Sequence, residues 1–122
     1  MFIPADVWFR AFLLTVAVEA PVVIRLLGRW EPSRPRLLAL VVFANLSSHL
    51  VLWFVLTQPF LIGTLQYVAI AEAWAVGCEA AFWFVAMRGI PLRWAIIASV
   101  VANAASFVVG RVVVAIWPDL FW

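Results

Sequence analysis

Residues 7–27 read VWFRAFLLTVAVEAPVVIRLL, an apolar run with Arg10 near one end, Arg25 near the other, and Glu19 and Pro21 in its middle. Crossing a bilayer takes ~20 predominantly apolar residues, and this stretch meets that length. Three more runs like it follow at 37–57, 67–87 and 94–114. Short breaker-rich connections separate them: 28–36 with Pro32 and Pro35, 58–66 with Pro59 and Gly63, and 88–93 with Gly89 and Pro91. Helices satisfy their own backbone hydrogen bonds in lipid. The predicted fold is therefore all-α, an integral membrane four-helix antiparallel bundle forming one transmembrane domain over 1–122.

Composition excludes the soluble alternative. Of 122 residues, 68% are hydrophobic and 11% charged, where soluble domains carry roughly 45–50% and about 25%. A chain this short leaves too much of its surface exposed to hide that apolar excess. Mean hydropathy of +1.14 agrees. The 8 cations are all arginine, against 6 acids. They are spread over loops and helix ends rather than clustered on one face, so no nucleic-acid partner is expected. Cys78 is the single cysteine and forms no internal disulfide. Asp6 ahead of Arg10, and Glu19 within the apolar stretch, argue against a cleaved signal peptide.

Loop charge predicts orientation. Arg29, Arg34 and Arg36 lie in the first connection with Arg25 just before it, Arg88 and Arg93 frame the third, and the second carries no charge. The positive-inside rule then puts loops 28–36 and 88–93 in the cytoplasm and both termini outside, in the cell (inner, plasma) membrane. Trp30 and Trp94 fall at the inner interface and Trp8, Trp117 and Trp122 at the outer one, with Trp53, Trp74 and Trp83 expected to pack between helices.

The two halves of the chain match each other. Shifted by 60, Val16, Glu19 and Ala20 fall on Val76, Glu79 and Ala80. Shifted by 58, Val42, Ala44, Asn45, Ser48 and Val51 fall on Val100, Ala102, Asn103, Ser106 and Val109. The Glu, Asn and Ser matches carry the weight, because Ala and Val recur throughout. A tandem two-helix repeat with units about 7–57 and 67–114 is expected, the units related by a pseudo-two-fold axis along the membrane normal.

Such a repeat places chemistry at one depth. Counted from the cytoplasmic ends of their spans, Glu19, Glu79, Asn45 and Asn103 all lie about 12–14 Å into a ~30 Å core. Ser48 and Ser106 share the faces of their asparagines one turn outward, His49 joins the stripe at i+4 from Asn45, and Thr15 stands behind Glu19. A mid-bilayer carboxylate costs at least ~2.5–3.5 kcal/mol. Three arrangements relieve that cost: carboxyls protonated and bonded to Asn amides, a proton shared by the pair, or a cation held by Glu and Asn oxygens. His49 would extend the last to a transition metal, and the sequence leaves the metal unknown. Pro21 frees the carbonyl of Ala17, a device that binds cations in broken transporter helices, although an ordinary kink is the simpler reading. Ser99, Asn103, Ser106 and Gly110 also form a small-and-polar seam that packs helices without any ligand. Arg10 and Arg111 both lie within reach of Glu72. Arg111 either pairs with it in a second polar layer or snorkels to the headgroups, while for Arg10 snorkelling with an Asp6 pair at i, i+4 is the simpler reading. Cys78 points away from Glu79 and packs.

Enzyme signatures are lacking: no phosphate-binding glycine loop, no paired-cysteine metal motif and no Ser/His/Asp set. The chain is not expected to be an enzyme or to carry a cofactor. One function class is a proton- or cation-coupled transporter or channel using Glu19 and Glu79. In length and in its four spans the chain is similar to the small multidrug-resistance transporters, which carry a key Glu in their first helix. It lacks that family's glycine and tryptophan patterns around Glu19 and in the fourth helix, and is not assigned to it. The alternative is a non-catalytic structural or assembly subunit whose polar layer fixes helix packing. The expected partners are the lipid bilayer and either further copies of the chain or another membrane protein.

Overall fold

The computed structural model describes residues 4–57 and 64–120. Four helices account for nearly all of it: α1 (Ala5–Leu27), α2 (Arg34–Phe54), α3 (Leu65–Ala86) and α4 (Leu92–Ile116), followed by a 3-10 turn at Pro118–Leu120. No strand occurs among the described residues. The breakers and caps set the boundaries. Gly28 ends α1, its N–H donating to the Ile24 carbonyl at 3.1 Å, and a Cβ there would sit 2.5 Å from that same oxygen. Ser33 caps α2 by accepting the Arg36 N–H, with Pro35 in the first turn. Thr64 likewise caps α3 through the Tyr67 N–H at 3.2 Å. Gly89 takes φ +79 in the turn before α4, a conformation open chiefly to glycine.

Those caps correct the expected spans. α2 begins at Arg34 rather than 37, because Ser33 and Pro35 start it. It ends at Phe54 rather than 57, with Thr57 turning back to donate its hydroxyl to the Trp53 carbonyl at 2.7 Å. α4 runs from Leu92 to Ile116, beyond both expected ends. The expected turn residues Gln58, Pro59 and Gly63, and Trp122 of the outer belt, lie outside the described residues.

Each helix is long and apolar enough to cross a membrane. Within those windows only 22% of α4 and 33% of α2 is buried inside the bundle. The remaining apolar surface, including Phe43, Val85, Val108 and Ile116, faces outward. That surface suits lipid contact.

The helices pack as a closed ring, α1 on α2, α2 on α3, α3 on α4 and α4 back on α1. The apolar core is concentrated at one end. Val23, Leu27, Leu37, Val41, Trp83, Met87, Ile90, Ala95 and Ala98 form one continuous cluster. Above it Trp30 and Trp94 meet with centroids 5.6 Å apart, bringing the first and third connections together. Toward the other end burial is less complete: Val7 packs among half-buried Ala11, Leu14, Trp53, Val113 and Val114, and Val7, Phe12, Thr57, Tyr67 and Ala71 keep 5–9% exposure. Trp83 packs as expected at 0% exposure, whereas Trp74 is 39% exposed and is held by its indole N–H donating to the Ser48 carbonyl.

Candidate functional site

Between the dense and the looser end lies a polar layer. Glu19 on α1 and Glu79 on α3 are buried to 0% and 1% exposure, and each is clasped from two neighbouring helices. Asn45 on α2 donates from Nδ2 to Oε2 of Glu19 at 2.8 Å, and Ser106 on α4 donates to Oε1 at 2.7 Å. Asn103 on α4 donates from Nδ2 to Oε2 of Glu79 at 2.8 Å, and Ser48 on α2 donates to Oε1 at 3.0 Å. Each carboxyl therefore uses the asparagine of its own half of the chain and the serine of the other half. Six of the seven side chains expected in the layer come together, His49 being the exception.

Each asparagine amide is oriented by a backbone carbonyl as well as by its carboxyl. Asn45 Nδ2 also donates to the Val41 carbonyl at 3.2 Å, and Asn103 Nδ2 to the Ser99 carbonyl at 3.0 Å. A carbonyl oxygen takes no hydrogen bond from another acceptor, so the amide nitrogens, not the oxygens, must face the carboxyls. The oxygen set presented to a cation is reduced accordingly. Asn45 Oδ1 is left buried without a partner among the described residues.

The serines sit between two acceptors with one proton each. Ser106 Oγ is 2.7 Å from Glu19 Oε1 and 3.1 Å from the Asn103 carbonyl. Ser48 Oγ is 3.0 Å from Glu79 Oε1 and 3.2 Å from the Asn45 carbonyl. A hydroxyl can point at either oxygen, because the back-bond to the carbonyl at i−3 is a normal serine geometry in helices. With the carboxyl ionised, the serine donates to it. With the carboxyl protonated, the acid donates to Oγ and the serine turns to the backbone. Both states keep their partners with no heavy atom moved.

Other expected members fall elsewhere. His49 packs edge-on against Phe12 at 5.8 Å, and its Nδ1 has no partner among the described residues. Its ring is spent on the α1–α2 contact, one turn away from the clasps. Glu72 and Arg111 do not form the expected pair. Half-buried Glu72 lines a cavity of about 180 Å³ with Trp53, Tyr67 and Phe107. Exposed Arg111 lines a separate one of about 220 Å³ between α1 and α4, with Thr15, Ser106, Gly110 and Trp53. Gly110 was expected to let helices approach closely, but a Cβ there would meet nothing within 4 Å. Ala17 and Pro21 both lie on the exposed face of α1 while Glu19 is buried. Asp6 and Arg10 do pair, at 3.0 Å, and Arg10 also donates to the Leu120 carbonyl. Among the described residues no group of three His, Cys, Asp or Glu side chains could hold a metal.

The sequence reading missed the crossed wiring of the serines, although the coincidence of depth was a signal for it. Ser99, expected in the packing seam, ties α4 to the Val76 carbonyl of α3 through its hydroxyl at 2.9 Å. Comparison with family models, with characterised proteins and with solved structures returns no match to this chain.

Proposed function

We propose that the chain is a small proton-coupled membrane transporter or channel, not an enzyme, in which Glu19 and Glu79 load and release protons. One observation carries this reading: each buried carboxyl faces a serine hydroxyl that has a second acceptor within reach, so both protonation states are satisfied in place. A layer needed only for packing could use Asn and Ser alone, without the cost of burying two acids. The inward-facing amide nitrogens favour a proton over a metal cation as the exchanged species. The cavity whose wall contains Ser106 supplies the access route to Glu19.

The matched clasps also support a tandem repeat of antiparallel helix pairs about an axis along the membrane normal. Under that reading Glu19/Asn45/Ser106 and Glu79/Asn103/Ser48 are the same device used twice. With the positive-inside rule, the arginine-bearing connections lie in the cytoplasm and both termini outside the inner membrane.

A second reading has its own support. All four carboxyl oxygens accept from a neighbouring helix, which suits a clasp that fixes helix order in an assembly subunit. Reconstitution separates the two. Vesicles loaded with a pH-sensitive dye and given an acid pulse should acidify faster with the wild type than with Glu19→Gln/Glu79→Gln, while the double variant keeps its helicity and elution volume. Equal proton flux with and without the carboxyls would sink the transport reading. A double variant that instead loses a co-purifying membrane partner would favour the assembly reading.

A further inference from the structure

The bundle's arginine-bearing end holds a second feature, independent of the glutamate layer. A cavity of about 920 Å³ opens beside the first connection, lined by Pro21, Ile24, Arg25, Arg29, Arg34 and Trp94 among others. Its charge is one-sided. The carboxylate in its wall, Glu31, is already engaged by Arg36 at 2.9 Å and by the Ser33 N–H at 3.1 Å. Arg25, Arg29 and Arg34 have no carboxylate partner among the described residues, and all three are exposed. The Arg29 guanidinium is held 3.7 Å from the Trp30 ring centroid and 4.5 Å from that of Trp94, which fixes it at the rim. Below the arginines the wall turns apolar, as Pro21 and Ile24 carry it down α1 toward the bundle's middle.

We infer that this cavity seats an anionic glycerophospholipid, its phosphate against Arg25, Arg29 and Arg34 and its acyl chain along the Pro21–Ile24 face of α1. Unpaired cations at headgroup level over an apolar groove match both parts of such an amphiphile. The volume falls in the usual range for a small-ligand site, ~300–1,000 Å³. Guanidinium groups suit phosphate oxygens through paired N–H donors. A soluble phosphate would use the rim and leave the apolar wall uncovered.

The test uses the full chain in a mild non-ionic detergent. Native mass spectrometry and thermal unfolding are followed with added phosphatidylglycerol, phosphatidylcholine or water-soluble glycerol phosphate. Phosphatidylglycerol should be retained and raise the unfolding temperature, with a preference over phosphatidylcholine on the order of 10-fold or more. Arg25→Gln/Arg29→Gln/Arg34→Gln should lose that preference, and Arg88→Gln/Arg93→Gln, with two charges removed from the third connection, should keep it. Equal retention of the two lipids by the wild type overturns the assignment whether or not any variant folds. So does a triple variant that still prefers phosphatidylglycerol. Stabilisation by glycerol phosphate equal to that by phosphatidylglycerol would make the site one for free phosphate and end the lipid proposal.

Discussion

The two ends of the bundle are built differently on either side of the glutamate layer. On the arginine-bearing side, Trp83, Leu27, Leu37, Val23 and Val41 reach 0% exposure in one cluster. On the other side the buried apolar residues Val7, Phe12, Tyr67 and Ala71 all retain 5–9% exposure, and cavities of about 220 and 180 Å³ flank Trp53 and Phe107. Bilayer lipid supplies no hydrophobic drive between helices, so the difference is one of van der Waals contact. The dense end holds the helices in register. The open end leaves room beside Ser106, whose hydroxyl bonds Glu19, while Ser48 beside Glu79 is fully enclosed. Two clasps of equal composition thus differ in the exposure of their serines, while both carboxyls stay buried.

The largest effect that could break this contrast is at Trp83. Trp83→Ala should cost about 3–5 kcal/mol, the usual range for removing a large ring from a well-packed core. Trp53→Ala should cost clearly less, because Trp53 already borders both cavities. Denaturant titration of helicity in mixed micelles measures both. Trp83→Phe should be mild, since it also removes an indole N–H that has no partner among the described residues. Equal losses for the two alanine variants would mean the ends are packed alike.

A smaller effect separates the clasps. Ser48→Ala and Ser106→Ala each remove one interhelical hydrogen bond, worth ~0.6 kcal/mol on average in membrane proteins. Stability should therefore barely distinguish them. Proton flux should: Ser106→Ala leaves Glu19 Oε1 without the hydroxyl that lies toward the cavity, whereas Ser48 is walled in. The acid-pulse assay should show the larger slowing for Ser106→Ala. The reverse order would place the access route on the Glu79 side.

How much of this was legible in sequence follows from period and depth. Spans of ~20 apolar residues leave little freedom, so the four helices and the level of Glu19, Glu79, Asn45 and Asn103 could be counted from the chain. Ser33 and Thr64 moved the boundaries because capping is decided by single side chains, not by hydropathy. The crossed serines required the ring order of the helices, which no periodicity contains. His49 fell outside the layer through its contact with the Phe12 ring, and Glu72 and Arg111 ended in separate cavities. A shared depth says nothing about which helix gap a side chain enters. Gly110 misled for a related reason: small residues permit close approach, but they equally leave a void.

That void gives the smallest expected stability change and the sharpest test of the open end. A Cβ at Gly110 meets nothing within 4 Å, and Gly110 lines the cavity with Ser106 and Thr15. Gly110→Leu would place four carbons on the side of that space, the first of them unobstructed. It also removes the conformational freedom of a helical glycine, a gain of ~0.5–1 kcal/mol relative to which some rotamer entropy is lost. The net change in stability should be near zero or slightly favourable. Proton flux should nonetheless fall, because the same side chain would cover the approach to Ser106 and Glu19. Gly77→Leu is the matched control: its position is also unobstructed, yet it lies on α3 and does not line this cavity. If both leucines left flux unchanged while Ser106→Ala slowed it, the proton would reach Glu19 by some path other than the α1–α4 cavity. If Gly110→Leu alone slowed it, the asymmetry between the two ends would be the route itself.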